Sequence, residues 1–106
     1  MPQLRFYKDF PKTGVNFLDI FSATTNPAVF KRLIEGIKRL ILEKVGTPGE
    51  AFDHVCGLES KGFVLGPMLA LEWNLPFVPI RKAGKLPGEC WKQHYTLEYG
   101  ADSIEI

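Results

Sequence analysis

The chain has 106 residues, 45% of them apolar and 24% charged, the make-up of one small globular domain that can bury a single modest core. Its formal net charge of +1 excludes a protein that attracts nucleic acid or a membrane surface through its overall field, so any anion recognition has to come from a local cluster. Cys56 and Cys90 have no second cysteine or histidine at metal-ligand spacing, although His54 stands close to Cys56. The opening residues carry no signal-peptide pattern, and no apolar run approaches the roughly 20 residues of a membrane helix, so a reduced, cytoplasmic chain is expected.

In chain order, residues Asp9 to Ile20 mix aromatics with Pro11 and Gly14 and show neither helical nor strand period, which predicts a shaped loop. Asn26-Pro27 then offers an N-cap followed by proline at the first helical position. Val29, Phe30, Leu33, Ile34, Ile37, Leu40 and Ile41 follow at helical spacing, with Lys31, Arg32, Glu35, Lys38, Arg39 and Glu43 on the other face. Gly46-Thr47-Pro48-Gly49 stops this helix. His54 to Leu58 is a short apolar run, Glu59 to Gly62 the polar tip of a turn, and a second helix is predicted from about Phe63 to Asn74, with Pro67 tolerated in its opening turns. Phe77 to Ile80 reads as another buried strand, which completes a βαβ unit of a parallel sheet with helices on its faces. Arg81 to Gly88 is predicted as a basic loop and Trp91 to Tyr99 as part of a hairpin. Gly100-Ala101-Asp102 is predicted as a turn, and Ser103 to Ile106 as a strand cut short.

Several constellations in this frame carry chemistry. The turn from Gly57 to Gly62 sets backbone amides, the Ser60 hydroxyl and Lys61 at the carboxyl end of a parallel strand, beside a helix N-terminus, a geometry suited to an anion. An ordinary strand-to-helix connection with Ser60 as the cap has the same sequence pattern. Arg81, Lys82 and Lys85 concentrate cations at the end of the next strand, where they can converge on the same anion or form a solvated basic tip. Glu98 beside Tyr99 is an acid/base candidate if desolvated and otherwise a surface carboxylate. Phe17 can stack on a planar base or plug the core.

The ordered series Asp-Phe-Pro-x-x-Gly-x-x-Phe-x-Asp-Ile from Asp9, Gly-Leu-Glu-Ser-Lys-Gly-Phe from Gly57, Arg-Lys-x-Gly-Lys-Leu-Pro-Gly from Arg81 and Leu-Glu-Tyr-Gly from Leu97 resembles the adenine phosphoribosyltransferases. The likeness implies a type I phosphoribosyltransferase fold and a homodimer. It also implies the Mg²⁺-dependent conversion of adenine and phosphoribosyl pyrophosphate to AMP and pyrophosphate in purine salvage, with Mg²⁺ bound mainly through phosphoribosyl pyrophosphate. By position, it implies that Asn16, Phe17 and Leu18 hold adenine, Phe17 through its ring and its neighbours through their backbone. It assigns pyrophosphate to Glu59, Ser60 and Lys61, with a cis peptide between the first two, and to Arg81, Lys82 and Lys85. Glu98 becomes the acid/base candidate on a mobile loop, with Tyr99 beside it.

Two residues depart from the pattern: Lys61 where the family commonly has Arg, and Leu18 where Arg often follows the stacking Phe. Lysine keeps the charge and loses the bidentate fork. The family's paired Asp residues and Thr-Gly-Gly-Thr phosphate cradle have no counterpart here, for no Asp-Asp or Gly-Gly pair occurs in the chain. Residues 1–106 are therefore expected to be one incomplete α/β domain, with an adenine segment at 9–20, a βαβ core at 27–80 and a basic loop with hairpin at 81–106. The chain by itself is expected to be inactive. The alternatives are a non-catalytic purine-binding or dimerisation module and a phosphoribosyltransferase for another purine.

Overall fold

A computed structural model describes residues 4–97 and 100–106 of the chain. The chain divides into two compact units, the first ending at Glu43 and the second running from Lys44 to Ile106.

In the first unit, strands β1 (Arg5–Lys8) and β2 (Asn16–Asp19) pair antiparallel, with Arg5 opposite Asp19 and Lys8 opposite Asn16. Local bonds shape their connection. Asp9, at φ 56°, accepts the Gly14 N–H on Oδ1 at 2.7 Å, and the Phe10 N–H donates to the Val15 carbonyl at 3.0 Å. The Phe10–Pro11 peptide is cis. The expected loop thus holds for residues 9–15 and is corrected at Asn16 to Asp19, which form a strand. Both strands are four residues long and β1 is exposed throughout, so they carry no burial alternation that a sequence pattern could display. After β2, the Asp19 carboxylate accepts the Phe21 N–H at 3.0 Å, opening the short helix α1 (Phe21–Thr24). The Ser22 hydroxyl donates to the Asp19 carbonyl at 2.6 Å and accepts the Arg5 N–H at 2.9 Å, which fastens α1 to β1.

Helix α2 (Pro27–Lys44) starts as expected, with the Asn26 side-chain oxygen accepting the Ala28 N–H at 3.1 Å. Val29 and Ile34 are buried, whereas Leu40, expected on the covered face, is 55% exposed. Helical period fixes the direction in which a side chain points and not how far along the helix the cover extends.

In the second unit, strand β3 (Val55–Leu58) runs parallel to β4 (Phe77–Lys82), with Val55 opposite Phe77, and helix α3 (Gly62–Trp73) connects them. This is the expected βαβ unit. The helix lies on the strands because glycines remove the intervening atoms. A Cβ on Gly57 would stand 2.5 Å from the Gly62 carbonyl oxygen, and one on Gly66 would stand 2.4 Å from the Phe77 ring. Leu69 and Ala70 of α3 are buried, and Phe63 meets Phe77 edge-on at 6.1 Å. Pro67 sits in the second turn, where it removes one helical donor at modest cost. Asn74, in the left-handed region at φ 53°, ends α3, and the Leu75 N–H returns to the Ala70 carbonyl at 2.9 Å.

The expected parallel strands and the expected hairpin join in one mixed sheet. Its order is β3-β4-β6-β5, where β5 (Lys92–Leu97) and β6 (Gly100–Glu105) are antiparallel and β6 also pairs antiparallel with β4. Arg81 and Lys82, expected in a loop, end β4 opposite Glu105 and Ile104. Gly100, Ala101 and Asp102, expected in a turn, belong to β6, with Ala101 opposite Thr96 and Asp102 opposite Tyr95. The partners of Arg81 and Lys82 are distant in sequence, and those of Ala101 and Asp102 lie across a hairpin, while glycine and proline punctuation reports only single-residue preference. Among the described residues no helix is long and apolar enough to cross a membrane.

Gly57→Ala is expected to lower stability by about 1–3 kcal/mol, because its methyl group would press on the Gly62 backbone and on the Phe77 ring. A denaturant midpoint unchanged from that of the parent chain would contradict this.

Candidate functional site

Because β3 and β4 are parallel neighbours, the segments leaving their carboxyl ends emerge side by side. The Glu59 N–H continues the pairing to the Ile80 carbonyl at 3.2 Å, and the Glu59–Ser60 peptide is cis, as the family likeness implies. The Glu59 carboxylate then turns towards the end of β4. Its Oε2 accepts Nε and Nη2 of Arg81 at 3.0 and 2.8 Å, and its Oε1 accepts the Lys82 N–H at 2.9 Å. The third nitrogen of Arg81, Nη1, donates to the Lys85 carbonyl at 3.2 Å, and the guanidinium lies 5.8 Å over the Phe63 ring. Bonding to the Lys82 N–H first, then to the Arg81 side chain, holds the Glu59 carboxyl below its ordinary range, and the charges of Arg81 and Lys85 act in the same direction.

A second carboxylate anchors the basic loop from β6. Glu105 is only 2% exposed, and its Oε1 accepts the Lys85 N–H at 3.0 Å and the Leu86 N–H at 2.8 Å. Lys92 Nζ lies 3.9 Å from Oε2. The Leu86 N–H, followed by those of Gly84 and Lys85 and by the Lys92 charge, keeps the Glu105 carboxyl below its ordinary range. Lys82 Nζ reaches Asp102 Oδ2 at 3.4 Å. The Asp102 carboxyl is likewise lowered, chiefly by the Ser103 N–H and next by Lys82.

The structure thus brings the Glu59 side chain to Arg81 and Lys82, and Arg81 to the Lys85 carbonyl, with Ser60 and Lys61 following Glu59 in the turn. Sequence reasoning missed that the Glu59 side chain engages Arg81, and it missed Glu105 altogether. A buried glutamate in an Ile-Glu-Ile run has no local signal, because its partners are backbone amides elsewhere in the chain. Ser60 does not cap α3: the N-cap position is Lys61, and no side-chain cap bond forms there. Backbone carbonyls close the opening turn of α3 instead: the Phe63 N–H donates to the Ser60 carbonyl, and the Val64 and Leu65 N–H groups to the Lys61 carbonyl, each at 3.1 Å.

The first unit holds an aromatic cleft of about 350 Å³ lined by Tyr7, Phe10, Phe17, Asp19 and Phe21. Phe17 meets Phe10 edge-on at 5.1 Å, and Tyr7 lies 6.3 Å from Phe10. Strand alternation puts Phe17 and Asp19 on the cleft face of β2, and Asn16 and Leu18 on the other. Only one edge of β2 is paired within its two-stranded sheet. Tyr7, Phe10 and Phe21 were not singled out from sequence, although aromatic crowding before residue 22 was the available signal. Glu98 and Tyr99 lie outside the described residues.

Lowered carboxyls at Glu59 and Glu105 stabilise the fold above their unfolded values, and that contribution is lost as pH falls through their folded ones. The chain should therefore lose stability on acidification below the ordinary carboxylate range. Glu59→Gln should be less stable than the parent at neutral pH and should show a flatter dependence on acid. Superimposable melting-temperature profiles for the two proteins would contradict the assignment.

No protein-family model matches the chain. Adenine phosphoribosyltransferase 1 of Saccharomyces cerevisiae is 48% identical over 103 residues, which cover 97% of this chain and 54% of that protein. The crystal structure of the S. cerevisiae enzyme complexed with an imino-altritol bisphosphate and adenine superposes with a TM-score of 0.87 at 45% identity, covering 98% of this chain and 58% of that one. The enzyme from Thermoanaerobacter pseudethanolicus gives 0.83 at 40% identity, with 98% and 57% covered. The chain spans about half the length of the curated relatives it matches. In sequence and fold the chain is similar to adenine phosphoribosyltransferases over about half of their length.

Proposed function

We propose that this chain carries the adenine and pyrophosphate segments of an adenine phosphoribosyltransferase, a pentosyl-transferring enzyme of purine salvage that converts adenine and phosphoribosyl pyrophosphate to AMP and pyrophosphate. The observation that carries this reading is the convergence of the Glu59-Ser60-Lys61 turn and the Arg81–Lys85 segment at the carboxyl ends of adjacent parallel strands. Residues 1–106 act in this reading as the incomplete front of one catalytic domain, in a cytoplasmic homodimer.

Breaking the bond between ribose and pyrophosphate develops negative charge on the leaving group, and cations fixed in advance around it lower the barrier. Ser60, Lys61, Lys82 and Lys85 hold pyrophosphate here, while Glu59 and Arg81 shape the turn that receives it. Among the described residues no three His, Cys, Asp or Glu side chains converge as metal ligands. Magnesium, which the family likeness implies is bound mainly through phosphoribosyl pyrophosphate, would neutralise the leaving charge. Adenine stacks on Phe17 in the aromatic cleft, and the backbone of Asn16 and Leu18 reads its edge. This is supported by the cleft and by the yeast relative complexed with adenine. Glu98, with Tyr99 beside it, exchanges the purine proton.

Calorimetry with adenine tests the base site. Phe17→Ala should weaken binding about tenfold or more, as the loss of one aromatic stacking platform does. Equal affinity of the parent chain for hypoxanthine or guanine would redirect the reading to another purine, and no binding of any purine would overturn it. In an assay of AMP formation from adenine, phosphoribosyl pyrophosphate and Mg²⁺, the 106-residue chain should show no turnover, since it contains no Gly-Gly phosphate cradle. Measurable turnover would refute that expectation.

A further inference from the structure

Glu105 has no role in the chemistry proposed above, yet it is the one charged residue among those described that is almost wholly buried, at 2% exposure. A carboxylate taken out of water has to recover its lost hydration from fixed donors. The donors here are the main-chain N–H groups of Lys85 and Leu86, at 3.0 and 2.8 Å, both on Oε1, with Lys92 Nζ 3.9 Å from Oε2. Glu105 therefore grips the basic loop by its backbone.

The same loop is held at its other end. Glu59 accepts the Arg81 side chain and the Lys82 N–H, and Arg81 Nη1 donates to the Lys85 carbonyl at 3.2 Å. Glu105, Lys85, Arg81 and Glu59 thus form one continuous chain of charge-assisted bonds that runs from the core of the sheet to the turn after β3. Arg81 and Glu105 are also register partners across β4 and β6, so the strand pairing and the side-chain bonds support one another.

We propose that Glu105 is a positioning residue for anion binding: by fixing the Lys85 and Leu86 amides it holds the Arg81–Lys85 segment in the conformation that receives pyrophosphate. The inference rests on the pyrophosphate reading given above. Glu105 touches no substrate in it. Its effect is to remove the ordering cost that a free loop would meet on binding, which is preorganisation rather than contact. Glutamine at this position keeps an oxygen in the place of Oε1 and loses only the charge. Alanine removes the acceptor and leaves two amides without their partner.

The test uses the whole 106-residue chain and inorganic pyrophosphate with Mg²⁺ as the probe. Calorimetry gives its affinity for the parent, Glu105→Gln and Glu105→Ala, and hydrogen exchange follows the Lys85 and Leu86 amides. Glu105→Ala should lose protection at those two amides and bind pyrophosphate about tenfold more weakly, whereas Glu105→Gln should recover most of both. Adenine affinity, which belongs to the first unit, should stay within about twofold of the parent value in every folded variant. Pyrophosphate affinity unchanged in Glu105→Ala would overturn the inference and leave the pyrophosphate reading standing. Should Glu105→Ala fail to fold, Glu105→Gln decides: protected amides with parent-like affinity support the inference, and parent-like affinity with unprotected amides overturns it. A parent chain that binds no pyrophosphate would overturn both.

Discussion

The second unit depends on one carboxylate placed among cations. Arg81, Lys82 and Lys85 lie within five residues of one another, and their like charges repel. Glu59 reverses that tendency by accepting two nitrogens of Arg81 and the main-chain N–H of Lys82. The pair is neither deep nor dry, with Arg81 33% and Glu59 27% exposed, so its Coulombic attraction is screened and its energy modest. Its value is geometric. Two nitrogens of Arg81 share Oε2 while Oε1 takes the Lys82 N–H, and together these bonds tie the turn after β3 to the end of β4.

The carboxylate can reach because the backbone beneath it is set by glycine. Gly57 and Gly62 allow the last residues of β3 and the first of α3 to meet backbone to backbone, and Gly66 lets the Phe77 ring of β4 lie under the helix. A side chain at any of the three would lift α3 and move the turn that lies between Gly57 and Gly62. Packing and electrostatics are therefore coupled in this unit. The glycine contacts decide where Glu59 starts, and Arg81 decides where it ends.

Much of this was legible in the sequence because it is local. The helix from Pro27, its stop at Gly46, the βαβ unit around Gly57 to Gly62 and the anion-suited turn all rest on neighbouring residues whose preferences agree. What escaped was non-local. Arg81 and Lys82 read as loop because nothing near them announces Glu105 and Ile104 as strand partners. Asn16 to Asp19 read as loop because a four-residue strand paired with another equally short one has no alternation to show. Glu105 was invisible as an anchor for the related reason that its partners are amides, and every residue but proline has an amide. Family likeness supplied candidate roles for residues 16–18, 59–61 and 81–85. It did not indicate that the Glu59 side chain would face the cations assigned to the same ligand.

That last point bears on Lys61, which stands where the family commonly has arginine. Bidentate recognition by arginine at this site is already committed to architecture, since the Nε and Nη2 edge of Arg81 is occupied by Glu59 and its Nη1 by the Lys85 carbonyl. In the proposed function an incoming pyrophosphate therefore meets the Ser60 hydroxyl and lysine point charges, while the Nε and Nη2 edge of Arg81 is taken by Glu59. Point charges tolerate variation in oxygen position where a fork does not. The departure at Lys61 is then consistent with the rest of the site, in which arginine fixes the shape of the loop and lysine meets the anion.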